Sequence, residues 1–119
     1  MKHTVTDADT AIALGSGDVP VLATPRLIAW MECATVEAAA PLLEAGETTV
    51  GKTVRVKHLR ATPVGGTVEI IFPSPVAQAG RHMTFLVEVV DGSGQLVATG
   101  DIDRVIVDRE QFLAGVDSQ

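Results

Sequence analysis

The sequence is short of the residues that usually build large cores, disulfide frameworks and metal sites. None of its 119 residues is Tyr, and aromatic residues make up 3%. The core must therefore come from Val, Leu, Ile and Ala, and so small a domain gains from burying more surface against another copy. A single Cys33 excludes an intrachain disulfide and a Cys-based metal cluster. Two of the three histidines, His3 and His82, have no partners at metal-ligand spacing, so no metal and no redox cofactor is expected. Basic residues are outnumbered, 9 against 15, leaving a net charge of −6. That balance disfavours a nucleic-acid partner, which calls for a basic face. No apolar run is long enough to span a bilayer, and no charged start followed by an apolar run marks a signal peptide. The expectation is a cytoplasmic protein of one domain, residues 1–119, without a nucleic-acid or membrane partner.

What is present is strongly patterned. Hydrophobic residues make up 46%, which argues against disorder. Lys2–Thr6 alternates briefly and reads as a strand. Thr10–Leu14 is short and apolar. Gly15-Ser-Gly-Asp-Val-Pro resembles half of a phosphate-binding glycine motif, but no Lys-Ser/Thr follows, so it reads as a surface loop. Thr24-Pro25 is a helix start, with Thr as N-cap and Pro at the first helical position. Leu27, Met31, Ala34 and Ala38 then form one buried stripe, and Ile28, Glu32, Thr35, Ala39 and Leu42 the adjoining one. Pro41 distorts or ends this long helix, and Gly46 stops the segment.

After Gly46 the period changes to two. A half-buried strand runs from Thr48 to Thr62, with Val54, Val56 and His58 on its inward face. Further strands follow over Thr67–Phe72, Arg81–Val90 and Gln95–Asp108, with Met83, Phe85, Val87 and Val89 inward. Pro73 and Pro75 interrupt the pattern as a bulge or an edge. Asp91-Gly-Ser-Gly is a hairpin turn, and Glu110–Ala114 a short final turn. Hairpin connections make the sheet antiparallel. One apolar helix and one face of an antiparallel sheet of about five strands can cover each other. This is an α+β architecture in which the sheet wraps a long central helix, the hot-dog arrangement.

Polar groups in apolar places mark the candidate chemistry. Glu32 lies inside the apolar helix, where it is either an edge carboxylate paired with an Arg or a pocket carboxylate for acid–base, orienting or nucleophilic work. His58 on an apolar strand face is either a hydrogen-bonded core residue or a base oriented by a carboxylate. Thr24 is explained by capping alone, although a helix N-terminus also suits a developing oxyanion. Gly51 inside a strand marks a bulge or the close approach of a ligand to bare backbone. Cys33 neighbours Glu32 but faces differently on the helix and reads as packing. Thr24 and Glu32 are eight residues apart, roughly 12 Å along a regular helix, so a joint site needs a substrate or another chain between them.

The chain also carries a longer pattern: Ala23-Thr24, seven residues, Glu32, then Gly51, six residues, His58. With Trp30-Met31, Ala40-Pro41-Leu42-Leu43-Glu44-Ala45-Gly46-Glu47, Val50, Ala61-Thr62-Pro63 and Gly100-Asp-Ile-Asp-Arg-Val-Ile-Val, it resembles the fluoroacetyl-CoA thioesterase-like family of hot-dog proteins. The resemblance implies hydrolysis of an acyl-CoA with a short or small acyl group, with CoA as part of the substrate. It implies that Thr24, Glu32 and His58 are the catalytic set and that Gly51 contacts substrate. It further implies a homodimer, with a tetramer as the alternative, and a site at the subunit interface. The segment Thr10–Leu22 has no aromatic residue where the fluoroacetyl-specific member carries a longer Phe-rich lid, so the expectation is general small-acyl hydrolysis. A non-catalytic module that binds acyl thioesters is the other reading. A hot-dog hydratase ranks low, because no Asp–His pair stands at a strand-to-helix junction.

Overall fold

Alternating side chains and short turns fold the second half of the chain into a sheet, and the first half supplies the helix that covers it. The computed structural model describes residues 1–117. Its elements are β1 (Lys2–Thr4), α1 (Ala11–Leu14), α2 (Thr24–Ala39), β2 (Glu47–His58), β3 (Thr67–Ile70), β4 (Ser74–Ala79), β5 (His82–Asp91), β6 (Leu96–Asp108) and α3 (Arg109–Asp117). The sheet is antiparallel, in the order β1-β3-β5-β6-β2, and β4 joins β5 on the β3 side.

The core lies between α2 and one face of this sheet. Met83, Phe85, Val87 and Val89 point inward from β5, as their alternation predicts, and all are buried. Leu27, Met31, Ala34 and Ala39 of α2 pack into the same cluster with Ile102 and Ile106 of β6. Each fully buried Val, Leu, Met or Phe contributes about 1.5–3 kcal/mol over an exposed one. The outer face is polar: Arg55 donates to Asp101 and Asp103, and Thr84 donates to Asp103 at 2.7 Å. At Pro41 the α-helix gives way to a single 3₁₀ turn, Ala40–Leu42. No helix among the described residues is long and apolar enough to cross a membrane.

Three boundaries differ from the sequence reading. The stretch around Pro73 and Pro75, expected as a bulge or an edge, carries a sixth strand, β4, beyond the five expected. It runs along β5, a register shift between Pro75 and Ala77 absorbs the ring, and all its residues are exposed. The strand expected to reach Thr62 ends at His58, because Leu59 and Arg60 both turn their N–H groups to the Val97 carbonyl, at 2.7 and 3.3 Å. The final turn is a nine-residue helix, started by the Asp108 carboxylate accepting from the Gln111 N–H at 3.0 Å.

β2 and β6 meet so closely at Gly100 that a Cβ there would run into the Arg55 carbonyl oxygen and stand 2.8 Å from Val56 Cα. Both obstacles are backbone and cannot swing aside. Gly100→Ala is expected to destabilise the fold by about 1–3 kcal/mol, seen as a lower midpoint in thermal or urea unfolding. An unchanged midpoint would show that the two strands can separate there freely.

Candidate active site

The start of α2 and the end of β2 meet. The helix begins at Thr24, with Ala23 rather than Thr24 as its N-cap, and Pro25 fits the first turn, where an N–H has no helical partner. Thr24 therefore does not cap the helix as its position suggested. Its hydroxyl is spent on His58 instead: Thr24 Oγ1 and His58 Nδ1 stand 2.8 Å apart. His58 is the last residue of β2, on the inward face that the alternation predicts, and is half-buried. Its Nε2 is buried and has no hydrogen-bond partner. Burial pushes the imidazole below its ordinary value, and the backbone of Arg60 pulls the other way. A neutral ring offers one N–H and one lone pair, so one ring nitrogen is engaged by Thr24 and the other is held dry.

The second group of residues lies farther along both elements. Glu32 sits on the β2 flank of α2 with its side chain 37% exposed, and its Oε2 is 3.5 Å from Nη1 of Arg104. Arg104 projects inward from β6 and is only 5% exposed. Its Nε donates to Thr49 Oγ1 at 2.8 Å and its Nη2 to the Thr49 carbonyl at 3.2 Å. Burial lowers the Arg104 pKa, and the Glu32 carboxylate opposes that shift. Gly51 pairs with Arg104 across the sheet, beside the register shift between Gly51 and Thr53. A Cβ on Gly51 would lie 2.7 Å from Glu32 Oε2. Of the two readings of Gly51, the bulge is present, and the room left by the missing side chain is taken by the Glu32 carboxylate of the same chain.

Arg104 was not singled out by sequence reasoning. Its signal was available, since it occupies an inward position of β6 between Ile102 and Ile106. Cys33, read as a packing residue, is exposed. Of the basic side chains near the site, Arg26 pairs with Asp9, Arg60 with Asp91 and Arg81 with Glu47. Among the described residues no group of three or more His, Cys, Asp or Glu side chains is placed to hold a metal ion.

Within one chain these are two clusters. His58 bonds Thr24 through Nδ1 and nothing through Nε2, so Glu32 does not orient it. His58 and Gly51 are seven residues apart on β2, roughly 20 Å at the usual strand rise. Thr24 and Glu32 are about 12 Å apart along α2. Both clusters include a residue of β2, which among the described residues pairs only with β6 and so ends the sheet.

Residues 5–110 match the family model described as "Fluoroacetyl-CoA-specific thioesterase". The chain is 35% identical over 96 residues to the fluoroacetyl-CoA thioesterase of Streptantibioticus cattleyicolor, covering 81% of this chain and 68% of that protein. The fold is similar to the crystal structure of a point mutant of the fluoroacetyl-CoA-specific thioesterase FlK in complex with fluoroacetate and CoA. That likeness has a TM-score of 0.90 at 30% identity and covers 99% of this chain and 95% of the other. A Thermus thermophilus hypothetical protein of the thioesterase superfamily superposes with a TM-score of 0.91 at 25% identity, over 99% of this chain and 86% of its own. By sequence match and by fold, this hot-dog chain belongs to the fluoroacetyl-CoA-specific thioesterase family.

Proposed function

We propose that the protein is a homodimeric acyl-CoA thioesterase for small acyl groups, with each active site divided between two protomers. Hydrolysis of an acyl-CoA follows from family membership. The dimer and the roles of residues are our reading. The observation that carries it is the separation of two complementary clusters along one uncovered strand. Antiparallel pairing of β2 with a second β2, about a twofold axis at Arg55 with the bulge after Gly51 taking up one residue, brings Gly51 of one protomer opposite His58 of the other. Glu32 and Arg104 then join Thr24 and His58. Val54 supports the same interface: it shares a face with fully buried Ile102, its cross-strand partner, yet is 36% exposed. An exposed free thiol at Cys33 is in keeping with a reducing, cytoplasmic setting.

In this site His58 is the general base. In our assignment Nδ1 carries the proton and donates to Thr24 Oγ1, which leaves the lone pair on Nε2. Glu32, held by Arg104 over Gly51, attacks the thioester carbonyl. The C–O bond forms, the C–S bond breaks and CoA leaves as its thiolate. His58 Nε2 then takes a proton from water as the hydroxide opens the mixed anhydride. The free acid departs, the Glu32 carboxylate is restored, and the proton on His58 passes to the thiolate. Bare backbone at Gly51 lets the thioester approach, and its N–H group suits the developing oxyanion.

The direct test is release of thiol from a panel of short acyl-CoAs. His58→Ala is expected to lower kcat by about 10²- to 10⁴-fold; equal rates for variant and wild type would remove His58 from the mechanism. Tight acyl-CoA binding without turnover would identify a binding module instead. Because the base must be neutral and burial lowers its pKa, kcat/KM should hold steady down through the ordinary imidazole value of 6.5 and fall only at more acid pH.

The division of the site has its own test. Thr24→Ala and Glu32→Ala proteins, each inactive alone, are unfolded, mixed in equal amounts and refolded together. Half of the dimers are then mixed, each with one intact site, so activity should return to about a quarter of wild type. No recovery would assign the site to a single chain. Finally, Gly51→Ala must displace the Glu32 carboxylate, the flexible end of a side chain. Turnover should fall at least about tenfold while the melting temperature drops no further than in Glu32→Ala, which also takes the carboxylate from Arg104. A greater loss of stability would make Gly51 a structural residue.

A further inference from the structure

Thr24 can hold His58 only if the first turn of α2 stands in one place, and a single residue outside the site brackets that turn. Asp9 lies at the end of the 3₁₀ turn Asp7–Asp9 and is buried. Its backbone carbonyl accepts from the N–H of Ala23, immediately before Thr24, at 2.9 Å. Its carboxylate Oδ1 is 3.1 Å from Nε of Arg26, two residues after Thr24. The other oxygen, Oδ2, accepts from Thr6 N–H at 2.8 Å and from Thr6 Oγ1 at 2.9 Å. One residue thus ties the chain before Thr24, the helix turn that contains it and the end of the β1 segment together.

The rest of the contact is held independently. The His58 side is fixed by Leu59 and Arg60 on the Val97 carbonyl, and the Thr62 carbonyl takes the Leu22 N–H at 2.8 Å. Asp9 touches neither ring nor hydroxyl. Burial works against its charge, but the two Thr6 hydrogen bonds and Arg26 outweigh it and hold the carboxyl below its ordinary value. Nothing in the thioesterase chemistry requires an anion at this place. An apolar residue would fill the space without the burial cost of a charge.

We propose that Asp9 is a positioning residue for the active site, which through Ala23 and Arg26 sets the first turn of α2 so that Thr24 Oγ1 meets His58 Nδ1. The geometry rests on contacts within the chain. Its consequence for turnover rests on the thioesterase reading given above. A displacement near 1 Å is enough to lower turnover about a hundredfold when it disturbs a reacting geometry, so the Asp9 tie is a lever on rate without contact with substrate.

The test reads the imidazole directly and needs no turnover. Nitrogen-15 spectra of His58 are compared at one pH in wild type, Asp9→Asn, Thr24→Ala and the double variant. Asp9→Asn is expected to move the Nδ1 resonance in the direction that Thr24→Ala moves it, and the double variant should match Thr24→Ala alone. An unmoved resonance in folded Asp9→Asn, or a shift that adds to that of Thr24→Ala, overturns the proposal. Should Asp9→Asn not fold, Arg26→Gln cuts the same tie from the helix side and leaves the Thr6 contacts intact. It is read by the same two criteria, with Arg26→Lys expected to restore the wild-type resonance. In the active enzyme, Asp9→Asn should reduce kcat about ten- to a hundredfold with KM within about twofold. A wild type inactive on every acyl-CoA would defeat the thioesterase reading, while the spectra would still decide the placement of Thr24.

Discussion

The 2.8 Å contact between Thr24 Oγ1 and His58 Nδ1 is the constraint on which the site depends. It joins the first residue of the central helix to the last residue of the edge strand, so both elements must end where they do. A helix begun one residue later would carry the hydroxyl out of reach. A strand shifted by one residue would turn the imidazole to the outer face. The contact also determines what the ring can do. One nitrogen is committed to Thr24, the other is buried and unpartnered, and burial lowers the pKa of the ring.

The second cluster obeys a different constraint. Arg104 is a buried cation, and such a group is tolerated only where charge and hydrogen bonds are returned to it. Glu32 supplies the charge, Thr49 supplies a hydroxyl and a carbonyl, and the missing side chain of Gly51 supplies the room. The carboxylate of Glu32 is thereby localised by the stability requirement of its neighbour. A free carboxylate at the same place on α2 would sample several rotamers and lose entropy on settling over a substrate. Here part of that ordering is done by the fold.

Much of this could be read from the sequence, and the limits have a physical pattern. Period-two alternation revealed β5, β6 and the inward side of His58, because the side chains of a half-buried strand report their own face. Helical spacing gave α2 and its stripe for the same reason, and Pro41 marked the end of the α-helix. The family spacing linked Thr24, Glu32, Gly51 and His58. What local pattern did not reveal was which distant group each polar atom meets. The Thr24 hydroxyl looked like a cap because capping is the local option, and only the fold brings an imidazole closer. Arg104 was passed over because its partners, Thr49 and Glu32, are far away in sequence. The bulge-or-edge reading of Pro73 and Pro75 agrees with the shifted register at Pro75, but β4 itself went uncounted because no face of it is buried and so no alternation marks it.

The edge strand accounts for what one chain leaves unfinished. β2 has twelve residues, a long open edge for a small domain, and such edges are normally blunted or paired. Lys52 and Lys57 and the bulge after Gly51 limit careless pairing, yet the middle of the strand, around Val54, stays apolar and open. An identical strand laid antiparallel about that midpoint satisfies the open hydrogen-bonding groups, covers Val54 and brings the two clusters together by one rotation. Moving the axis along the strand separates Gly51 from His58 by twice the displacement. The spacing of those two residues is therefore a statement about the dimer axis. In the proposed assembly each site takes Thr24 and His58 from one protomer and Glu32 and Arg104 from the other, groups that a protomer alone keeps in two separate clusters along β2.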